Sequence, residues 1–147
     1  MVILSKTILI LEDDLKTVSK LIKKLSILEQ EQSYDLSIMV MMNYKQVEDY
    51  INNNKKAEFD IIILDRDCKL GRSFHVLDIE RFGPKKIISI SSVPKYNKEA
   101  KKRGVKKVIL KDFRNLDNFI DKVVKEVEKK LRKMSLINSI KKLYKKS

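Results

Sequence analysis

The chain holds one cysteine, one histidine, three glycines, two prolines and no tryptophan among its 147 residues. A single cysteine, Cys68, excludes an internal disulfide and a thiolate metal cluster. His75 has no cysteine or second histidine near it, so it reads as a packing or solvent-facing residue rather than a ligand or a catalytic base. Neither proline nor glycine is plentiful enough to build a linker; Pro84 and Pro94 flank one short segment, and no internal repeat divides the chain. No apolar run approaches the roughly 20 residues that a membrane-spanning helix needs. The opening "MVILSKTILILEDD" is broken by Lys6 and lacks a small-residue cleavage site, so it is read as the start of a fold and not as a signal peptide. The expected setting is the cytoplasm.

What is abundant is charge. Charged residues make up 36% and hydrophobic residues 43%, a balance that gives a folded globular domain rather than a disordered chain. The formal net charge is +13, which raises the question of an acidic partner. The excess is mostly lysine, spread over every expected helix but the third, with little aromatic interleaving. Base readers favour arginine and single-strand binders need stacking rings, so nucleic acid is the less favoured partner.

Apolar periodicity places five strands: 6–11 ("KTILIL"), 36–42 ("LSIMVMM"), 59–65 ("FDIIILD"), 85–92 ("KKIISISS") and 105–111 ("VKKVILK"). Between the first two, Leu15, Val18, Leu21, Ile22, Leu25 and Leu28 recur at helical spacing behind Asp14, a natural N-cap. A second helix starts at Asn43 and carries Tyr44, Val47, Tyr50 and Ile51. A third lies around "SFHVLDIERFG", and a short polar fourth is "KYNKEAKKRG". The fifth starts at Asn115, with Leu116, Phe119, Ile120, Val123, Val124, Val127 and Leu131 on one stripe. Strands of continuous apolar character alternating with helices predict an α/β fold, a parallel sheet covered on both faces. Ligands of such sheets sit beyond the carboxyl ends of the strands.

Those ends carry the chemistry. The first strand runs into Glu12-Asp13-Asp14, the third into Asp65, the fourth into Ser91-Ser92 and the fifth into Lys111. If the first and third strands are neighbours, Glu12, Asp13 and Asp65 converge and raise one another's pKa unless a cation joins them. Oxygen ligands with room for water suit Mg²⁺. With Lys111 and the Ser91 hydroxyl to hold a phosphoryl oxygen, the set is suited to placing phosphate on an aspartate. Taken singly, Asp14 is an ordinary helix cap, Ser91 an ordinary small residue and Cys68 an incidental loop thiol near Asp65.

From about residue 5 to 131 the chain resembles the receiver domain of two-component response regulators. The acidic pair matches Glu12-Asp13 in "LILEDD", the phosphoacceptor Asp65 in "IIILD", the switch hydroxyl Ser91 in "IISISS" and the lysine Lys111 in "GVKKVILKDF". The resemblance implies a flavodoxin-like doubly wound sheet of order 2-1-3-4-5 with five helices. It implies Mg²⁺ held by Glu12, Asp13, Asp65 and the backbone carbonyl of Asp67. It further implies phosphoryl entry from a histidine kinase or phosphotransfer protein, self-catalysed transfer and autodephosphorylation, and a downstream target met by the face of the fourth strand, fourth helix and fifth strand. Three positions depart from the pattern. Asp112 stands where proline follows the lysine, Val108 stands where an aromatic is usual, and "RDCKLGRS" replaces a proline-glycine loop.

Two other readings compete. "IIILDRDC" also fits the Asp-x-Asp of haloacid-dehalogenase-like phosphatases, with Asp65 as nucleophile and Asp67 as general acid. There the motif usually ends the first strand and the further acids follow the lysine; here the acids come first. The third reading is a basic binding module that works without phosphorylation, kept alive by the tail "KMSLINSIKKLYKKS". Leu136, Ile137, Ile140, Leu143 and Tyr144 give that tail an apolar stripe beside a basic face. The expected organisation is therefore a receiver domain over 1–131 and a basic amphipathic extension over 132–147, with room for a homodimer.

Overall fold

The computed structural model describes residues 3–146. Five parallel strands form one sheet in the order β2-β1-β3-β4-β5: β1 (Leu4–Leu11), β2 (Tyr34–Met41), β3 (Ile61–Leu64), β4 (Ile87–Ser89) and β5 (Lys107–Val108). The helices are α1 (Leu15–Glu31), α2 (Tyr44–Gln46, continued by a wide π turn over Val47–Asn52), α3 (Ile79–Phe82), α4 (Pro94–Lys102) and α5 (Leu116–Lys146). This is the doubly wound, flavodoxin-like order expected from the sequence, with the fifth helix extended.

Side-chain alternation explains why Ile8–Leu11 of β1 and Ile61–Leu64 of β3 are apolar without a break. Ile8, Ile10, Ile61, Ile63, Ile88 and Ile90 face one core, where Leu21, Leu25 and Leu28 of α1 meet Phe119, Val123 and Val127 of α5. Leu9, Leu11, Ile62, Leu64 and Ile87 face the other, against Val47, Ile51, Phe74, Ile79 and Ala100. Both faces of these central strands are covered, so neither parity is polar there, whereas the edge strand β2 alternates half-buried and exposed residues.

Several elements are shorter or more exposed than their sequences suggest. β5 is regular over two residues, and α3 over four. Leu15 and Ile22 keep helical spacing yet are 60% and 39% exposed. Tyr50 is likewise exposed. Side chains take over where regular structure stops. The Arg81 guanidinium donates to the carbonyls of Ile51, Asn52, Asn54 and Ala57, and Arg103 donates to those of His75 and Leu77. Gly104 has φ +98°, and a Cβ there would stand 3.1 Å from the ring of Pro84, so a side chain would meet both strain and a rigid neighbour.

α5 runs unbroken through position 131. One face of its first half is buried through Leu116, Phe119, Ile120, Val123, Val127 and Leu131, whereas Leu136, Ile137, Ile140, Leu143 and Tyr144 are all exposed. Among the described residues no helix is long and apolar enough to cross a membrane.

Candidate functional site

Strand register builds the site. β1 pairs with β3 so that Leu11 stands opposite Leu64, and the Asp65 amide donates to the Leu11 carbonyl at 3.0 Å. Glu12 and Asp65 thus leave neighbouring strands at the same level. The outer ladder continues past its regular residues: the Ile90 amide donates to Leu64, the Ile109 amide to Ser89 and the Lys111 amide to Ser91. Four strand ends therefore bring Glu12, Asp65, Ser91 and Lys111 to one edge of the sheet.

All four are buried. Glu12 is 0%, Ser91 1%, Asp65 5% and Lys111 5% exposed. The Lys111 ammonium donates to Glu12 Oε2 at 2.6 Å and to Asp65 Oδ2 at 2.8 Å. Asp13 is half-buried, and carboxylate oxygens of Glu12, Asp13 and Asp65 all lie within 4.8 Å of one another. Burial and then the Asp65 charge raise the Glu12 carboxyl to about 8, against the pull of Lys111. The same two causes raise Asp13. Burial opposes the Lys111 charge, but Asp65 and Glu12 outweigh it and hold the ammonium above its ordinary range.

Three acids facing one lysine are an under-compensated set. A divalent cation would relieve the repulsion, and the donors are oxygens only, which suits a hard ion. The residues fit that role. The remaining Glu12 oxygen accepts the Asp14 amide at 3.1 Å, which fixes the carboxylate plane. Asp14 itself turns away to cap α1 through the Thr17 amide, as its position suggests.

Around this centre the other singled-out residues separate. Asp67 is exposed, and its carboxylate takes the Arg66 guanidinium at 2.9 Å; that is not the posture of a general acid beside Asp65. Asp112, which stands in place of a proline, accepts the Arg114 amide and caps the turn Phe113–Asn115. Phe113 lies with its ring 5.4 Å from the Lys111 ammonium. Val108 packs into the second core. The Cys68 thiol donates to the Gly71 carbonyl, and burial raises its pKa. His75 is half-buried with Nε2 unpartnered, and burial first, then Arg103, lowers its pKa.

Sequence reasoning missed Asn97. It is 5% exposed on α4, and its Oδ1 accepts the Ser89 hydroxyl at 2.7 Å and the Ser91 amide at 3.1 Å. Its Nδ2 donates to the Ser91 carbonyl at 3.2 Å. One amide thus ties α4 to the strand end that carries Ser91. The signal was present in Ser89 and Ser91 themselves, since two polar residues on a buried strand need partners. Tyr96, its neighbour, receives the Arg66 guanidinium on its ring.

No family model matches the sequence, and no curated protein matches it. The fold does have matches among solved structures. The Mn²⁺-bound form of response regulator Rcp1 aligns over 80% of this chain and 91% of its own, with TM-score 0.62 and 12% identity. The phosphorylated cyanobacterial phytochrome response regulator RcpA aligns over 84% and 91%, with TM-score 0.65 and 16% identity. The receiver domain of Francisella response regulator 1452 aligns over 88% and 98%, with TM-score 0.60 and 19% identity. The chain has the receiver-domain fold.

Proposed function

We propose that this chain is a response regulator receiver that accepts a phosphoryl group on Asp65. The observation that carries the reading is the Lys111 ammonium held between Glu12 and Asp65, at 2.6 and 2.8 Å, with Asp13 in the same cluster. An Asp65 carboxylate oxygen would attack the phosphorus of a phosphohistidine or small phosphodonor. The P–N or P–O bond breaks as the new P–O bond forms, and its electron pair leaves with the donor. Lys111 would then move from carboxylate to phosphoryl oxygen, and the Ser91 hydroxyl would turn to the same group.

Glu12, Asp13, Asp65 and the Asp67 carbonyl would hold Mg²⁺, whose charge would offset that of the incoming phosphoryl oxygens. The Rcp1 structure carries Mn²⁺, which agrees with a divalent ion in this fold. The protein in this reading is a cytoplasmic signalling component rather than a turnover enzyme, apart from its own transfer and autodephosphorylation. Phosphoryl would arrive from a histidine kinase or phosphotransfer protein. The response would leave through the face of β4, α4 and β5, which Asn97 links to Ser91. Residues 1–131 would act as the receiver module and 132–147 as its extension. Against the phosphatase reading, Asp67 is engaged by Arg66.

The test is labelling with a small-molecule phosphodonor and Mg²⁺, followed by mass spectrometry of the peptide containing Asp65. Wild type gains one phosphoryl group there and Asp65→Asn gains none while keeping its fold. Equal labelling of both proteins refutes the reading.

A further inference from the structure

At the end of the sheet opposite Asp65, where β4 and β5 begin, the surface is concave. A cleft of about 410 Å³ has Lys85, Lys86 and Lys107 on one side and Lys129, Lys130 and Lys133 of α5 on the other. Met134 and Ile137 of α5 add apolar surface to its lining. A depression of about 250 Å³ adjoins it and shares Lys85, Lys107, Lys130 and Lys133. Glu126 is the one acid in the lining, and it is already divided between Lys107 at 3.8 Å and Lys129 at 3.6 Å. The Lys130 ammonium donates to the Lys85 carbonyl at 2.6 Å. Burial lowers the Lys130 pKa, and Lys107 and Lys133 add to the effect against Glu126. Lysines crowded this closely around one carboxylate leave a local excess of positive charge.

The apolar surface does not stop at the cleft. Ile140 and Tyr144 stand three and seven residues beyond Ile137 and so continue its helix face. Ile137 is 45%, Ile140 43% and Tyr144 78% exposed. The result is one apolar line with basic flanks, running from the sheet end along the exposed face of α5.

We propose that this groove seats an acidic amphipathic helix of a partner protein. Apolar residues of the partner, at three- and four-residue spacing, cover Met134, Ile137 and Ile140, while its Asp and Glu side chains face the lysines. The shape and charge select this occupant. A flat bilayer does not fill a cleft that lysines of the sheet end and of α5 line together. Nucleic acid would leave the apolar lining at Met134 and Ile137 uncovered, and among the described residues no arginine lines the groove to read bases. A second copy of the chain would bring lysines to lysines. The inference holds whether or not Asp65 accepts phosphate.

The probe is a fluorescent designed peptide, helical, with a leucine stripe flanked by glutamates. A second peptide has the same composition, scrambled to remove the stripe. The full-length protein is expected to bind the striped peptide at least about tenfold more tightly than the scrambled one, a margin typical of losing an interface centre. Binding falls about tenfold or more in Ile137→Asp/Ile140→Asp and in Lys130→Glu/Lys133→Glu, and weakens with salt. Ile137 and Ile140 are exposed, so the first variant is expected to keep its helical circular dichroism. Equal binding of the two peptides, or unchanged binding by either variant, overturns the proposal. So does tighter binding to phosphatidylserine vesicles or to a single-stranded oligonucleotide, or a dimer in sedimentation that Ile137→Asp/Ile140→Asp abolishes.

Discussion

The guanidinium of Arg66, one residue past Asp65, lies 4.2 Å from the centre of the Tyr96 ring on α4. The Arg66 amide also donates to Asp65 Oδ1 at 2.7 Å. One residue therefore touches the candidate phosphoacceptor through its backbone and α4 through its side chain. New negative charge on Asp65 would compete for that cation.

Tyr96→Leu is expected to weaken this coupling. With Mg²⁺ and a beryllofluoride phosphate mimic, amide shifts in wild type should reach residues 94–102, and they should shrink in the variant. The loss of the cation–π contact costs about 0.5–1 kcal/mol of stability. Val108→Ala should leave the shifts nearly unchanged, because Val108 has neither ring nor hydroxyl. A response in Tyr96→Leu equal to wild type would show that the signal bypasses Arg66.

Asn97→Ala leaves the Ser89 hydroxyl and the Ser91 amide without this partner, whereas the Ser91 carbonyl keeps the Lys111 amide. Buried groups left unsatisfied cost about 1–3 kcal/mol each, with partial relaxation, so a total of roughly 2–4 kcal/mol is expected in urea unfolding. A loss below about 0.5 kcal/mol, within the range of ordinary surface changes, would mean that α4 is not anchored by this amide.

Metal binding should release protons at neutral pH. Glu12 rises to about 8, so at pH 7 it is largely protonated, and a metal needs the carboxylate. Mg²⁺ affinity should increase as pH rises toward about 8 and level off above it. Without metal the sign for stability is opposite: a raised carboxyl pKa favours the fold fully below the unfolded value, and that contribution is lost as pH passes through about 8. Calorimetry in two buffers of different ionisation enthalpy measures the released protons. Heats identical in both would remove Glu12 from the metal site.

Lys111→Met leaves Glu12 and Asp65 buried without their cation. Breaking such a pair costs about 3–5 kcal/mol. Mg²⁺ should restore part of it, since the ion answers the same carboxylates. Melting with and without Mg²⁺ checks this, and a deficit that the metal does not reduce would make Lys111 a packing residue only.

The sheet was legible because its central strands are buried on both faces, and continuous isoleucine and leucine over 61–64 admits little else in this setting. The acids and lysine were legible because they interrupt such runs. The short elements were not. Arg103 holds the carbonyls of His75 and Leu77, Arg81 ties its own turn to the carbonyls of Ile51, Asn52, Asn54 and Ala57, and carbonyls are the same in every sequence. Asn97 hid among lysines on a polar helix, where an amide reads as solvent-facing. The reach of α5 to Lys146 follows its helical spacing, but the exposure of its far half depends on there being no sheet left to cover it.

The bond from Lys111 to Glu12 spans 99 positions, and that to Asp65 spans 46. During synthesis from the amino terminus, β1 has to wait for β3 before its second edge is paired. Glu12 and Asp65 can then meet on a growing chain long before their lysine has been made. For that interval, at about 5–20 residues per second, the nascent sheet holds its carboxylates without their native cation. A ribosome stalled between the codons for Asp65 and Lys111 would display that intermediate, and free Mg²⁺ should then matter more to its compactness than to that of the finished protein.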